Sequence, residues 1–495
     1  MISQELGATP QPDPQKSNSE EKGLRSRHLM TKQIEIGGGT ISESRFVISP
    51  GVRRIADTSL SAGGEIVASA MKLDPDLSDS EQLAELLTRE TYFTFPDSPG
   101  DGAALLDRVV NKAGHRSVTK VIHPVHLIAG LSVPAAIGVI QAGGAIGRLT
   151  TSKTGSMNDT LYCVYGSPKE QTRQQQAIER FLELRGKVEQ EHSPRTLSEN
   201  GTEFFNIFNL QLKALALVHE MSVKQLHGTL THVLPHPDIP GETKGLWTRI
   251  ADDIHHSCPN LIHEPKWYTA CRARAEDHAE SFDSFDEMRR QIEQDGGVIE
   301  QGMYVAQPGC QITWPSPQLC GSFQQLGSEL RPELLGIEFR LTGISSETVI
   351  ELISHSEAVV QNLRPATLPR TGQALYRIQG TEEERAWQRD GIAKFVSLRR
   401  ELLQGEKEDS TPDSPEQTYA NNLFDLGSRA ESLQFGMRLA DFDKFFIGRL
   451  SHKGNEQEIQ EVARRMCETL RELFPQHIRT PDKYYQMNNE AKYHC

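Results

Sequence analysis

Apolar positions along the chain switch between two spacings, and the switches mark out elements. Residues 34–65 read as strand-like and glycine-rich segments, and 80–114 follow a helical period. Residues 115–129 contain a strand (VIHPVHLIA), with a turn and helix over 130–141. A charged amphipathic helix is predicted over 168–190, and further helical stretches over 205–230 and 272–295. The stretch 336–366 gives the clearest local grammar: a strand, a Gly343-Ile344-Ser345 turn, then a helix with Ser345 at its N-cap. Glu347 lies in that helix's first turn, where a carboxylate suits the dipole. Val349, Ile350, Leu352 and Ile353 form its apolar face, and Ser354, His355 and Ser356 come where that face ends. A last helix is predicted over 455–473, stopping before Pro475.

The same pattern occurs twice. Gly114, Gly130, Ser132 and Ile140 are matched 213 positions later by Gly327, Gly343, Ser345 and Ile353. Ile178, Phe181, Leu184 and Arg185 are matched 214 positions later by Ile392, Phe395, Leu398 and Arg399. Two blocks on nearly one offset argue for a diverged tandem duplication. The expected organisation is a tail at 1–33, a first repeat at 34–270, a second at 271–482 and a C-terminal tail at 483–495. The expected fold class is α+β, with a mixed sheet packed against long helices in each repeat.

At 495 residues the chain is long enough for two or three domains. Its 53 basic and 67 acidic residues leave a net charge of −14, which argues against a general DNA, RNA or anionic-membrane binder. Seven scattered cysteines without a CxxC pair fit a reducing, cytoplasmic setting rather than a disulfide framework. The apolar run 127–147 is broken by Pro134, Gln141 and five glycines, so it reads as soluble structure rather than a membrane span.

Some patterns carry candidate chemistry and also an ordinary reading. The run from Ala142 to Gly147 imitates a dinucleotide fingerprint, but the residues after it make a poor helix and no acidic residue closes the next strand. Eight of the seventeen histidines fall between 219 and 278, yet His232 and His236 straddle Pro235 and no ligand spacing emerges, so no metal is assigned. Glu456, Glu458, Glu461, Arg464 and Arg465 read as a solvated, ion-paired helix face.

His115 and His355 stand out by position. Gly114-His115-Arg116-Ser117, with Gly130-Leu131-Ser132 downstream, resembles the G-H-x-S and G-[IL]-S elements of the flavin-dependent thymidylate synthases. In the second repeat, Phe339–Ser345 is similar to that family's strand and turn, and Ser354-His355-Ser356 occupies its Arg-His-Arg position. Near the C-terminus, Arg449 and Glu458-Ile459-Gln460 match the closing segment with one extra residue of spacing. The departures are large. Gln141-Ala142-Gly143 stands at the first repeat's Arg-His-Arg position, and Gly327-Ser328-Glu329-Leu330 replaces the second G-H-x-S.

The resemblance implies site residues and cofactors. His355, Ser356 and His115 would be catalytic; Ser117, His355 and Asn362 would bind cofactor; Arg364 and Arg449 would bind nucleotide. It implies FAD, with NADPH and methylene tetrahydrofolate as co-reactants, and a homodimer forming a pseudo-tetramer. The expected function is one-carbon or redox chemistry on a pyrimidine nucleotide or similar small anion. The alternatives are a repurposed specialised-metabolism enzyme, metal-dependent or not, and a catalytically dead scaffold. Most of the family's arginines are missing, and phosphate recognition needs several charge-assisted donors, so the pocket is expected to be rebuilt.

Overall fold

The structure is a computed structural model. It describes residues 27–42, 45–59, 64–65, 68–69, 71–92, 100–142, 145–150, 160–191, 208–236, 239, 241–272, 285–326, 329–354, 359–365, 367–368, 373–404, 424–451 and 457–479.

The first half opens with helix α1 (27–36), which starts inside the stretch read as a tail because Met30 and Ile34 supply an apolar edge that packs inward. Strands β1 (Thr40–Ser42), β2 (Phe46–Ser49) and β3 (Gly51–Ala56) come next, then helices α2 (Asp79–Tyr92) and α3 (Gly102–Leu106). After them lie β4 (Val125–Leu131), α4 (Val133–Gln141), β5 (Ala145–Thr150), β6 (Tyr162–Cys163) and the long α5 (Pro168–Glu191). Strand β7 (Leu215–Glu220) and helices α6 (Val223–Val233), α7 (Gly241–Ser257) and α8 (Pro265–Thr269) complete it.

The second half lays down α9 (Phe285–Gln294), β8 (Val298–Glu300), β9 (Tyr304–Gln307), β10 (Gly309–Trp314) and α10 (Pro317–Leu326). It continues with β11 (Gly336–Ser345), α11 (Ser346–Ser354), β12 (Val359–Pro365), β13 (Thr367–Leu368), β14 (Gln373–Ala374) and β15 (Tyr376–Arg377). Helix α12 (Glu382–Gln404), strand β16 (Ala430–Arg438) and helices α13 (Leu439–Ser451) and α14 (Gln457–Leu473) close it.

Each half contains one four-stranded antiparallel sheet, in the order β3-β4-β7-β5 and β10-β11-β16-β12. Each also contains a three-stranded sheet, β1-β2-β6 and β8-β9-β15, with one antiparallel and one parallel pairing. Register irregularities recur at matching places: Ala129/Leu131 and Thr342/Ile344 flank Gly130 and Gly343. Those two glycines sit at φ +84° and +73°, and a Cβ on either would lie 2.8 Å from Val47 or Val305. A left-handed backbone with no room for a side chain demands glycine at both.

One expectation is corrected. Residues 215–220 form a central strand rather than part of a helix, because LALVHE buries residues on both of its faces in the sheet. Residues Ala145–Thr150 form strand β5, in keeping with the reading of the glycine run as a poor match to a dinucleotide fingerprint. Among the described residues, no helix is long and apolar enough to cross a membrane.

The halves interlock. Ile350 of α11 packs in the first half's core, while Ile140 of α4 packs in the second half's. Phe181 of α5 meets Phe395 of α12 edge-on at 4.8 Å. Leu210 and Leu426 form an antiparallel bridge, and across the same seam Gln211 N donates to Asp425 O at 2.8 Å while Gly427 N donates to Asn209 O.

Candidate functional site

Both G-[IL]-S turns are fastened in the same way. Ser132 caps α4 by accepting from Ala135 N at 3.3 Å, and it gives its own N–H (3.0 Å) and hydroxyl (2.6 Å) to the Glu242 carboxylate on α7. Ser345 caps α11 by accepting from Thr348 N at 3.1 Å. Its N–H and hydroxyl, with the Thr348 hydroxyl at 2.6 Å, go to Glu458 on α14. Glu458 is therefore fully buried, which corrects the reading of its helix face as solvated. Its remaining charge meets Arg377, whose Nε lies 2.8 Å away and whose Nη2 donates to Glu461 at 2.6 Å. Burial raises the Glu461 carboxyl above its ordinary range, against the opposing pull of Arg377. At the position of Arg377 in β15 the first half has Cys163 in β6, a thiol that burial raises well above its usual value.

Beyond these shared turns the halves differ in chemistry. Helix α11 carries Ser346, Glu347 and Glu351, all buried, where α4 has Val133, Pro134 and Gly138. Strand β16 carries buried Glu431 and Ser432 where β7 has Leu215 and Ala216, and α13 carries buried Arg449 where α6 has Val233. The first half thus packs the same elements with apolar residues, so the fold itself does not require these polar groups. Burying charge is costly unless it is matched, which makes this cluster the strongest candidate site.

The matching is thorough and draws on both halves. Lys213, from the first half, pairs with Glu347, and both side chains are only 2% exposed. Gln211 Nε2 donates to Ser346 Oγ at 3.2 Å, and Ser346 Oγ donates to Glu431 at 3.2 Å. Arg429 meets Glu431 at 3.1 Å and Asp425 at 3.2 Å, and Asp425 also takes Arg399. Arg449 Nη1 donates to Glu351 at 3.0 Å, and burial lowers its guanidinium from the ordinary value while Glu351 supports it.

The structure places the expected site residues unevenly. Arg449 lies in this cluster. Asn362 and Arg364 lie on edge strand β12, with Arg364 in register with Ser432 and Pro365 with Glu431. His355 and Ser356 lie outside the described residues, just past the end of α11. His115 and Ser117 are exposed around a short 3-10 turn (Arg116–Thr119) that packs on α2 and α6 of the first half. Lys213, Glu351 and Glu431 are not singled out from sequence, and Glu347 reads there only as a first-turn carboxylate suited to the helix dipole. A pointer existed: Glu347 and Glu351 stand four apart beside the apolar face of α11, where the equivalent positions of α4 are uncharged.

Among the described residues no three His, Cys, Asp or Glu side chains converge as a metal site. A flavin pyrophosphate needs cationic donors that are not already neutralised. Lys213, Arg399, Arg429 and Arg449 each meet a carboxylate instead, so these four do not offer such donors.

No family model and no curated protein sequence matches the chain. Among solved structures it is similar to a UMP/dUMP methylase, PolB from Streptomyces cacaoi, bound with 5-Br UMP: 9% identity, TM-score 0.31, covering 46% of this chain and 96% of that one. The same methylase bound with 5-Br dUMP gives 10% identity and TM-score 0.32, over 46% and 97% of the two chains.

Proposed function

We propose that the chain is a tandem-duplicated, diverged relative of the thymidylate synthase-like fold, with a single live pocket where α11 meets β12 in the second half. There it binds a pyrimidine nucleotide or similar small anion and acts as a nucleotide-modifying transferase. One observation carries the reading: the polar cluster of α11, β16 and α13 stands in one half only, at positions the other half fills with apolar residues.

In this reading Arg364 and His355 contact the ligand, and Arg449 and Lys213 position it indirectly. Lys213 fixes α11 through Glu347, and Arg449 fixes the next turn through Glu351. A pre-set helix end lowers the ordering cost of binding. Ser117, His355 and Asn362 would have to hold any flavin.

Calorimetric titration with UMP and dUMP tests the binding. Saturable binding that weakens at least tenfold (about 1.4 kcal/mol) in both Arg364→Ala and His355→Ala supports the reading; binding untouched by both contradicts it. Carbon transfer to C5 of the base displaces the hydrogen there as a proton. Tritium release from C5-labelled nucleotide therefore separates a transferase from a scaffold that only binds. One absorbance scan with elemental analysis decides the cofactor: near-stoichiometric flavin would restore that part of the resemblance, and bound iron or zinc would favour the repurposed metal-dependent enzyme. The assembly proposed with it is a homodimer of four similar halves, and a monomeric mass in solution would exclude it.

A further inference from the structure

A second cluster lies on the first half, around the residue between His115 and Ser117. Arg116 reaches toward His263, with Nη2 at 3.5 Å from Nε2, and its buried Nη1 has no hydrogen-bond partner among the described residues. A guanidinium can only donate, so His263 Nε2 is the acceptor and that ring is neutral. Burial and the Arg116 charge both pull the His263 imidazole below its ordinary value, consistent with this. His263 is stacked on Trp267 at 3.9 Å and 23°, and Trp267 is 40% exposed. Behind them, Tyr268 OH lies 2.8 Å from His227 Nδ1, and its phenol is strongly raised by burial, so it stays neutral. On the neighbouring turn, Asn111 Oδ1 is a second buried polar atom without a hydrogen-bond partner among the described residues, while its Nδ2 donates to Asn260 O at 3.2 Å.

The second half differs at two of these positions. Asp443 stands at the position of His227 and accepts from Arg479 N at 3.0 and 2.9 Å, and Glu329 stands at that of Arg116. The fold therefore does not require His227 or Arg116. The cluster's parts are a cation with an unused donor, an unused amide acceptor and an exposed indole face. Those features suit a flat ring that carries an anionic group and offers a donor of its own.

We propose that Arg116, Trp267 and His263, with Asn111 of the preceding turn, form a separate binding site for a planar anion, a heteroaromatic ring bearing a carboxylate or phosphate. The proposal does not depend on the α11 pocket. The experiment titrates the full chain with orotate, UMP and inorganic phosphate by calorimetry, with tryptophan fluorescence read alongside. It compares the unaltered chain with Arg116→Gln, Trp267→Leu and Arg364→Ala, using circular dichroism to confirm that each variant is folded. The expected result is an event distinct from binding at the α11 pocket, identified by its quenching of tryptophan emission, that weakens at least tenfold in both Arg116→Gln and Trp267→Leu and is unchanged in Arg364→Ala. Tighter binding of orotate assigns a ring carboxylate, and tighter binding of UMP assigns a nucleotide. The proposal is overturned by equal binding of phosphate alone, by no saturable event with either ring, or by unaltered affinity in folded Arg116→Gln and Trp267→Leu.

Discussion

Lys213 and Glu347 show how much a single residue can carry when two halves of a chain meet. Removing one member of so buried a pair leaves the other charged in a dry site. Lys213→Met is therefore expected to cost about 3–5 kcal/mol, measured by urea denaturation, and Lys213→Met with Glu347→Leu should recover most of it. Equal losses in the single and double variants would refute the pairing. Asp253 gives a pH-dependent case. Burial raises its carboxyl, but a hydrogen bond from His126 and the charge of Arg54 outweigh this and hold it below the ordinary range. Because the folded value is depressed, the stabilisation is full above the ordinary carboxylate range and is lost as pH falls through the folded value. Asp253→Asn should flatten the acid limb of the Tm profile, and an unchanged limb would count against it. At this scale the sequence is least legible. Glu458 sits on a helical period that looks solvated, and its partners Ser345 and Arg377 lie 113 and 81 positions away. Periodicity has no access to such pairings.

At the scale of elements, the glycine-serine turns are the most legible feature, since a positive-φ glycine followed by an N-cap is local information. Each cap also feeds a carboxylate on a distant helix. Ser345→Ala should lose about 1 kcal/mol for the cap and roughly 1–3 kcal/mol more for the hydrogen bonds Glu458 forfeits. Ser132→Ala should behave similarly through Glu242, with both read by chemical denaturation; a loss confined to cap size in either would show that the carboxylates re-satisfy themselves. A further near-identity between the halves is harder to see. Met30, Gln33, Ile34, Glu35, Gly38 and Gly39 recur 258 positions later as Met288, Gln291, Ile292, Glu293, Gly296 and Gly297. Its offset differs from the 213 found downstream, because segments of unequal length separate the blocks. Strand β7 is masked for a related reason: a short apolar run buried on both faces has no period to distinguish strand from helix.

For the whole molecule, the exchange of Ile350 and Ile140 between cores means that neither half buries its apolar surface alone. The full chain should unfold in one cooperative transition by calorimetry, and residues 34–270 or 271–482 expressed singly should be poorly folded by near-ultraviolet circular dichroism. A separately folded half would contradict the interlock. In the proposed function this arrangement lets one half specialise while the other serves as its support. The most direct test of that asymmetry is calorimetric titration of the intact chain with UMP and dUMP, beside Arg364→Ala, His355→Ala and Arg116→Gln. The account predicts saturable binding that falls at least tenfold in the first two variants and persists in the third; binding indifferent to Arg364 and His355, or no binding at all, would contradict it.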